Sequence, residues 1–115
     1  MPLMYKILPR SEWDAFVASG TFLGSTVDLQ DGYIHFSYAH QVGETSRKYF
    51  SGQPDLMIFA VEADNLGPSL KNEPSRGGDL SPHLYASLAL AAVLWSKKLP
   101  LALDGTPALP SLDEV

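Results

Sequence analysis

The sequence predicts an α+β fold in which small mixed or antiparallel sheets carry two packed helices. Three observations indicate this class. Several short segments are continuously apolar or alternate apolar and polar residues, which is typical of strands. Two other segments place apolar residues three and four positions apart, as in helices with one buried face. The segments follow the order strand, helix, strand, helix, strand and then short strands, which fits helices packed on a small sheet.

The chain opens with a predicted strand and helix. The segment MYKIL, residues 4–8, alternates as a strand does, and Pro9 stops it. The segment SEWDAFVASG, residues 11–20, is expected to be a short helix with Ser11 as its N-cap and Asp14 completing a capping box. Its expected buried face consists of Trp13, Phe16 and Val17.

The middle of the chain repeats this alternation. Residues 21–32 carry turn chemistry and predict a loop with at most one helical turn. The segment GYIHFS, residues 32–37, predicts one strand, and residues 38–52 have the spacing of an amphipathic helix. The expected apolar positions of that helix are Val42, Ser46, Tyr49 and Phe50.

The second half of the chain predicts strands. Leu56–Glu62 is continuously apolar and is expected to be the central strand. Short strands are expected near 70–73 and 83–85, and a helical turn should precede a strand over Val93–Leu99. The ordered core is expected over residues 3–101, and 102–115 should form an edge or flexible tail.

Length and composition restrict the class of protein. A chain of 115 residues has room for one domain, 1–115. No run of 18 apolar residues predicts a membrane span, and the amino end does not have the pattern of a secretory signal, so a cytoplasmic protein is expected. The absence of cysteine excludes disulfides and thiolate chemistry. A net charge of −5 argues against nucleic-acid binding. A monomer or a weak homo-oligomer is expected.

The stretch DGYIHFSYAHQV, residues 31–42, places an imidazole inside a predicted strand. On one strand, His35 and Ser37 share a face and lie about 6.6 Å apart, so both can contact one ligand. The alternative is a core His35 hydrogen-bonded to a backbone carbonyl, with Ser37 capping the helix that follows.

The stretch EPSRGG, residues 73–78, has the chemistry of a ligand-binding loop. Arg76 can donate two hydrogen bonds to a carboxylate or phosphate, and Gly77 lets the backbone approach a ligand closely. The alternative is a structural loop in which Arg76 pairs with Glu73 or another nearby carboxylate.

The stretch SPHLYASL, residues 81–88, adds His83 and Tyr85 on one face of an extended segment. Both can stack on a flat ring and hydrogen-bond at its edge, although ordinary packing is the alternative. Together with the two preceding stretches, they suit a pocket for a small molecule with a phosphate and a ring. The histidines lack HxxxH and HExxH spacing, so no metal site is expected.

Three motifs in order resemble a known family. The motifs that carry this resemblance are, in order, YKIL…EW, DGYIHFS…QV…T…YF.GQ.DL and EPSRGG…PHLY..L. The chain closely resembles a bacterial family catalogued as domain of unknown function nine-five-two. The resemblance extends from about Tyr5 to Leu101. The chain departs from the family pattern at Asn72, where an aromatic residue is common, and at Ser81, where a large apolar residue is common.

The resemblance implies a minimal ADP-ribosyltransferase fold, which holds NAD in a cleft between two small sheets. IHFS is similar to the second motif of enzymes with that fold, a strand ending in Ser that runs into a helix, and Lys6 would then occupy the early-strand position of the first motif. Alternatively, His35 itself is the histidine that binds the NAD ribose. Glu73 would be the late acid, or His83 or Tyr85 would replace it.

Three hypotheses follow, of which two are functional and one is purely structural. The first is an ADP-ribosyltransferase-like enzyme that acts at the ribosyl bond of NAD or a related nucleotide. Its catalytic residues would be Glu73, His35 and His83, and its binding residues Lys6, Tyr33, His35, Ser37, Arg76, Gly77, His83 and Tyr85. The second is a non-catalytic module that kept the fold and recognises a ligand or a protein. The third is a purely structural domain. No resident cofactor is firmly implied.

Overall fold

A computed structural model describes residues 2–75 and 78–112, in which the chain forms an α+β fold. The predicted class is therefore confirmed. In chain order the elements are β1 (Leu3–Pro9), α1 (Arg10–Ser19), β2 (Thr21–Phe22), α2 (Thr26–Asp31), β3 (Ile34–His35), β4 (Ser37–Tyr38), α3 (Ala39–Phe50), β5 (Leu56–Glu62), β6 (Leu70–Pro74), β7 (Leu80–Leu84), β8 (Leu88–Ala89) and β9 (Val93–Leu99).

The strands form three small sheets. A four-stranded sheet has the order β4-β1-β5-β9, a three-stranded sheet has the order β3-β7-β6, and β2 pairs with β8. All strand pairings within the described ranges are antiparallel, so the sheets are antiparallel rather than mixed. As predicted, β5 is central, because it lies between β1 and β9.

The four-stranded sheet has a hydrophobic core on each face, because successive side chains of a strand point to opposite sides. On one face, Met4, Leu8 and Phe59 pack with Phe16 of α1. On the other face, the cluster includes Val42 of α3 and the strand residues Leu3, Tyr5, Ile7, Leu56, Ile58, Ala60 and Leu99. Burial on both faces explains why β1 and β5 read as nearly continuous apolar runs.

The two longer helices agree with the prediction in position but not in every residue. α1 begins at Arg10 with Pro9 as its N-cap, so the prediction that Ser11 caps the helix is wrong. Val17, expected on the buried face, is 48% exposed. In α3, Val42 and Ser46 are buried as predicted, whereas Tyr49 is exposed.

Two predictions for the middle of the chain are wrong. The predicted loop contains the helix α2, which ends at Gly32 in the left-handed conformation (φ 87°). The predicted single strand over residues 32–37 is two strands in different sheets. The chain changes sheets at the buried Phe36, whose N–H donates to the carbonyl of Pro82 at 3.0 Å.

The C-terminal part of the described chain packs on the four-stranded sheet. A turn of 3-10 helix, Leu90–Ala92, precedes β9 as predicted. Beyond it, Leu109 and Leu112 pack against the second core, and the Tyr5 hydroxyl donates to the carbonyl of Leu112 at 3.1 Å. No helix in the described ranges has the length and apolar character needed to cross a membrane.

Candidate functional site

The site is built around Asp28, a carboxylate that α2 carries into the interior. Asp28 is 2% exposed. The N–H of Ser25 donates to its Oδ2 at 2.8 Å, which fixes the start of α2. Gly24 precedes this turn with φ +126°, and a Cβ there would lie only 2.7 Å from Cβ of Asp28. A glycine is therefore required for the loop to pass so close to the carboxylate.

Asp28 binds two cationic or polar side chains from different strands. Nζ of Lys6, on β1, lies 2.9 Å from Oδ2 and 3.1 Å from Oδ1. Nδ1 of His35, on β3, lies 2.6 Å from Oδ1, and the His35 backbone N–H donates to the same oxygen at 3.1 Å. Asp28 thereby connects the four-stranded sheet to the three-stranded sheet.

Burial and pairing act in opposite directions on this network. Burial raises the pKa of Asp28, but the hydrogen bond from His35, the charge of Lys6, and the hydrogen bonds from Lys6 and Ser25 outweigh it and lower that pKa to about 2. For Lys6, burial is the largest effect and lowers the pKa, although Asp28 and Glu12 raise it. Asp28 is therefore ionised at neutral pH.

Both ring nitrogens of His35 face carboxylates. Nδ1 contacts Asp28, and Nε2 lies 3.0 Å from Oδ2 of Asp31, the last residue of α2. Only the protonated imidazolium donates to both carboxylates at once. The alternative of a core histidine bonded to a backbone carbonyl is not what the structure shows, because the His35 side chain is 33% exposed and bonds to carboxylates.

Four polar aromatic rings gather at this point, and we call Tyr33, His35, His83 and Tyr85 the ring cluster. His35 lies directly opposite His83 in the β3–β7 pairing. The Tyr33 ring centroid is 4.6 Å from that of His35, 4.2 Å from that of His83 and 5.1 Å from that of Tyr85. Two of the sequence stretches, residues 31–42 and 81–88, therefore meet in one place.

Glu73, on β6, binds two members of the ring cluster, His83 and Tyr85. Its Oε1 lies 2.9 Å from Nδ1 of His83 and accepts a hydrogen bond from the Tyr85 hydroxyl at 2.6 Å. These two bonds, first that of Tyr85 and then that of His83, lower the pKa of Glu73. The hydrogen bond between Tyr85 and Glu73 also raises the pKa of Tyr85 to about 12. Nothing among residues 2–75 and 78–112 donates a hydrogen bond to Oε2 of Glu73.

A shallow groove of about 290 Å³ lies beside the ring cluster. Tyr33 and Tyr85 belong to both, whereas His35, His83 and Glu73 do not line the groove. The lining residues are Leu23, Asp28, Leu29, Gly32, Tyr33, Ile34, Leu84, Tyr85 and Ala86. A separate hollow of about 350 Å³ is lined by Pro2, Leu3, Tyr38, Ala39 and His40 and includes none of the ring cluster. We place the candidate site at the groove and the adjoining ring cluster, because Tyr33 and Tyr85 line the groove and also contact His35, His83 or Glu73.

Four further residues were predicted for the site from the sequence: Lys6, Ser37, Arg76 and Gly77. Lys6 belongs to the site through Asp28. Ser37 lies in the four-stranded sheet opposite Tyr5, and its Oγ is 3.4 Å from Oγ1 of Thr45. Arg76 and Gly77 lie outside the described residues. Within the described part of the chain, no group of three histidine or acidic side chains has the arrangement of a metal site.

The two positions that depart from the resembled family pattern both carry hydrogen bonds. Oδ1 of Asn72 accepts from the Tyr38 hydroxyl at 2.5 Å, and Ser81 Oγ donates to Ser75 Oγ at 3.1 Å. The first bond connects β6 to the strand that precedes α3.

Asp28 and Asp31 are the site residues that the sequence analysis missed. Both lie in the segment predicted as a loop. The pattern Ser25-x-x-Asp28 is a capping-box signature that marks the start of α2, and it was the available signal. It does not indicate that the cap carboxylate is buried against Lys6 and His35.

Comparisons with known proteins agree with this architecture. Residues 7–96 match the model of a protein family of unknown function, DUF952, and the chain belongs to that family. The crystal structure of protein CC0527 from Caulobacter crescentus is similar, with 52% sequence identity, a TM-score of 0.89, and coverage of 92% of this chain and 93% of that one. The solution NMR structure of CC0527 gives 52% identity and a TM-score of 0.84, covering 91% and 90% of the two chains. The search of curated proteins gives no match.

Proposed function

We propose that this protein is an ADP-ribosyltransferase-like domain that binds NAD or a related nucleotide at the ring cluster and its groove. The observation that carries the proposal is the position of Glu73. An ionised carboxylate is held by His83 and Tyr85 at the edge of a cluster of packed aromatic rings, beside a groove.

The groove suits a flat ring. Tyr33 and Tyr85 offer aromatic surfaces, and Leu84 and Ala86 supply an apolar wall. Stacking on such surfaces is expected to bind either the nicotinamide or the adenine ring. Tyr33 would then contact the bound ring in the groove and, within the ring cluster, His35 and His83.

Glu73 suits the ribose. Its Oε1 is occupied by His83 and Tyr85, so the carboxylate has a fixed orientation. Its Oε2 is the oxygen that would accept hydrogen bonds from ribose hydroxyls. In a reaction that breaks the bond between ribose and nicotinamide, the negative charge would stabilise the developing oxocarbenium-like cation.

Calorimetry with NAD and ADP-ribose tests the proposal. We expect binding by the wild-type protein and at least tenfold weaker binding by Glu73→Gln and Tyr33→Ala. The matched control is Glu44→Gln, which removes an exposed carboxylate that pairs with Lys48 on α3. No heat at millimolar NAD or ADP-ribose, with Glu73→Gln indistinguishable from wild type, would contradict the proposal.

The second candidate is a binding module without catalysis. It is favoured by the small volume of the groove, about 290 Å³, which is just below the usual range of about 300–1,000 Å³ for ligand pockets. Release of nicotinamide from NAD separates the two candidates. Release that Glu73→Gln abolishes supports the enzyme, and binding without release supports the module.

A further inference from the structure

We propose that Nε2 of His35 is an anion subsite, which Asp31 occupies until a phosphate oxygen of the ligand replaces its carboxylate. The choice of a nucleotide as the natural ligand rests on the proposed function. The subsite itself does not, because inorganic pyrophosphate can test it.

The His35 ring is fixed from its inner side. Nδ1 is bound to the buried Asp28 at 2.6 Å, and Lys6 balances the charge of that carboxylate. With the inner nitrogen held, Nε2 has a fixed direction, and the exposed carboxylate of Asp31 lies 3.0 Å from it. A donor with a fixed direction binds an anionic oxygen with little loss of side-chain entropy.

Asp31 is held much less firmly than Asp28. Its side chain is 45% exposed, and His35 is its one ion-pair partner among the described residues. It is the last residue of α2, where the carbonyl groups at the helix end disfavour a negative charge. Exposed ion pairs contribute about 0–1 kcal/mol, so a ligand oxygen can displace this carboxylate.

Asp31 is expected to weaken anion binding in two ways. It competes for the same Nε2–H, and after displacement its charge remains beside the incoming anion. Replacing Asp31 with alanine removes both effects. Because each is a surface interaction, we expect a gain in affinity of about 3- to 10-fold.

The test is a titration of inorganic pyrophosphate, followed by ¹H–¹⁵N NMR signals of the His35 ring. Asp31→Ala should bind about 3- to 10-fold more tightly than the wild-type protein. Asp31→Glu, which keeps the carboxylate, should stay close to wild type. Asp64→Ala removes an exposed carboxylate elsewhere and controls for net charge. Acetate, a weaker anion, should shift the same signals less.

The subsite is contradicted if pyrophosphate leaves the His35 signals of Asp31→Ala unchanged, or if this variant binds no more tightly than wild type. NAD calorimetry separates this failure from failure of the proposed function. Tighter pyrophosphate binding without any NAD binding supports the subsite and contradicts the proposal that a nucleotide is the natural ligand. NAD binding that depends on Glu73, without a gain in Asp31→Ala, supports the function and contradicts the subsite.

Discussion

Asp28 and His35 are joined twice through a single oxygen: Oδ1 of Asp28 lies 2.6 Å from Nδ1 of the His35 ring and accepts the His35 backbone N–H at 3.1 Å. One buried carboxylate therefore fixes both the strand and the ring at the position where two sheets meet. Orientation of a histidine by a carboxylate at one ring nitrogen is a general way to present the other nitrogen to a ligand.

Breaking the buried pair from one side should strongly destabilise the fold. We expect Asp28→Leu to lower the free energy of unfolding by about 3–5 kcal/mol, because Lys6 is left buried without its counter-charge. The double variant Lys6→Met/Asp28→Leu should recover part of this loss. Urea denaturation measures both. The control, Glu44→Gln in the exposed pair with Lys48, should change stability by less than about 1 kcal/mol. A double variant as unstable as the single one would contradict the account.

Acid should remove the contribution of Asp28 within a defined pH range. Its pKa is about 2 in the folded protein against an ordinary 3.8, so the folded state favours the ionised carboxylate. This contribution is complete above about pH 4 and is lost as the pH falls toward 2; it amounts to about 2 kcal/mol. Urea unfolding of the wild type and Asp28→Asn between pH 5 and pH 2 measures it. The variant should begin less stable and lose less stability over this range, and parallel curves would contradict the assignment.

Gly24 should tolerate alanine worse than Gly20, another glycine at positive φ but in open space. A Cβ at Gly24 would lie 2.7 Å from Cβ of Asp28, whereas a Cβ at Gly20, also at positive φ, meets nothing within 4 Å. We expect Gly20→Ala to cost about 1 kcal/mol from backbone strain, and Gly24→Ala to cost clearly more. Thermal unfolding of the two variants compares them directly. Equal effects would show that the loop can move away from Asp28.

The hydrogen bond between Tyr85 and Glu73 should be visible in the titration of either group. Glu73→Gln should lower the pKa of Tyr85 from about 12 toward its ordinary 10.0, because the charged acceptor is lost. Conversely, Tyr85→Phe should raise the pKa of Glu73, whose depression Tyr85 chiefly causes. NMR titration of the tyrosine ring and glutamate carboxyl carbons measures both shifts.

The sequence predicted the elements whose pattern depends on local burial. The continuously apolar β5 is typical of a strand buried on both faces, and the turn before β9 was also predicted. The change of sheets at Phe36 was missed because extended residues in one strand and in two consecutive strands have the same alternation. Only pairing partners distant in the chain, His83 for β3 and Tyr5 for β4, distinguish them.

The sequence analysis proposed the aromatic residues and Glu73 of the candidate site, but not Asp28 and Asp31, which hold His35 in place. Tyr33, His35, Glu73, His83 and Tyr85 belong to conspicuous motifs, and the antiparallel pairing brings them together. The burial of Asp28 results from tertiary packing of a six-residue helix, which short-range patterns do not encode. Ser37 was expected in the site because the sheet change was not foreseen.

The central claim is that a nucleotide binds at the ring cluster, and NMR shift mapping with ADP-ribose tests it most directly. We expect ring signals of Tyr33, His35, His83 and Tyr85 to shift together along one saturable curve, with His40, which lines the separate hollow, unaffected. Shifts centred on His40, or no shifts at millimolar ADP-ribose, would contradict the claim.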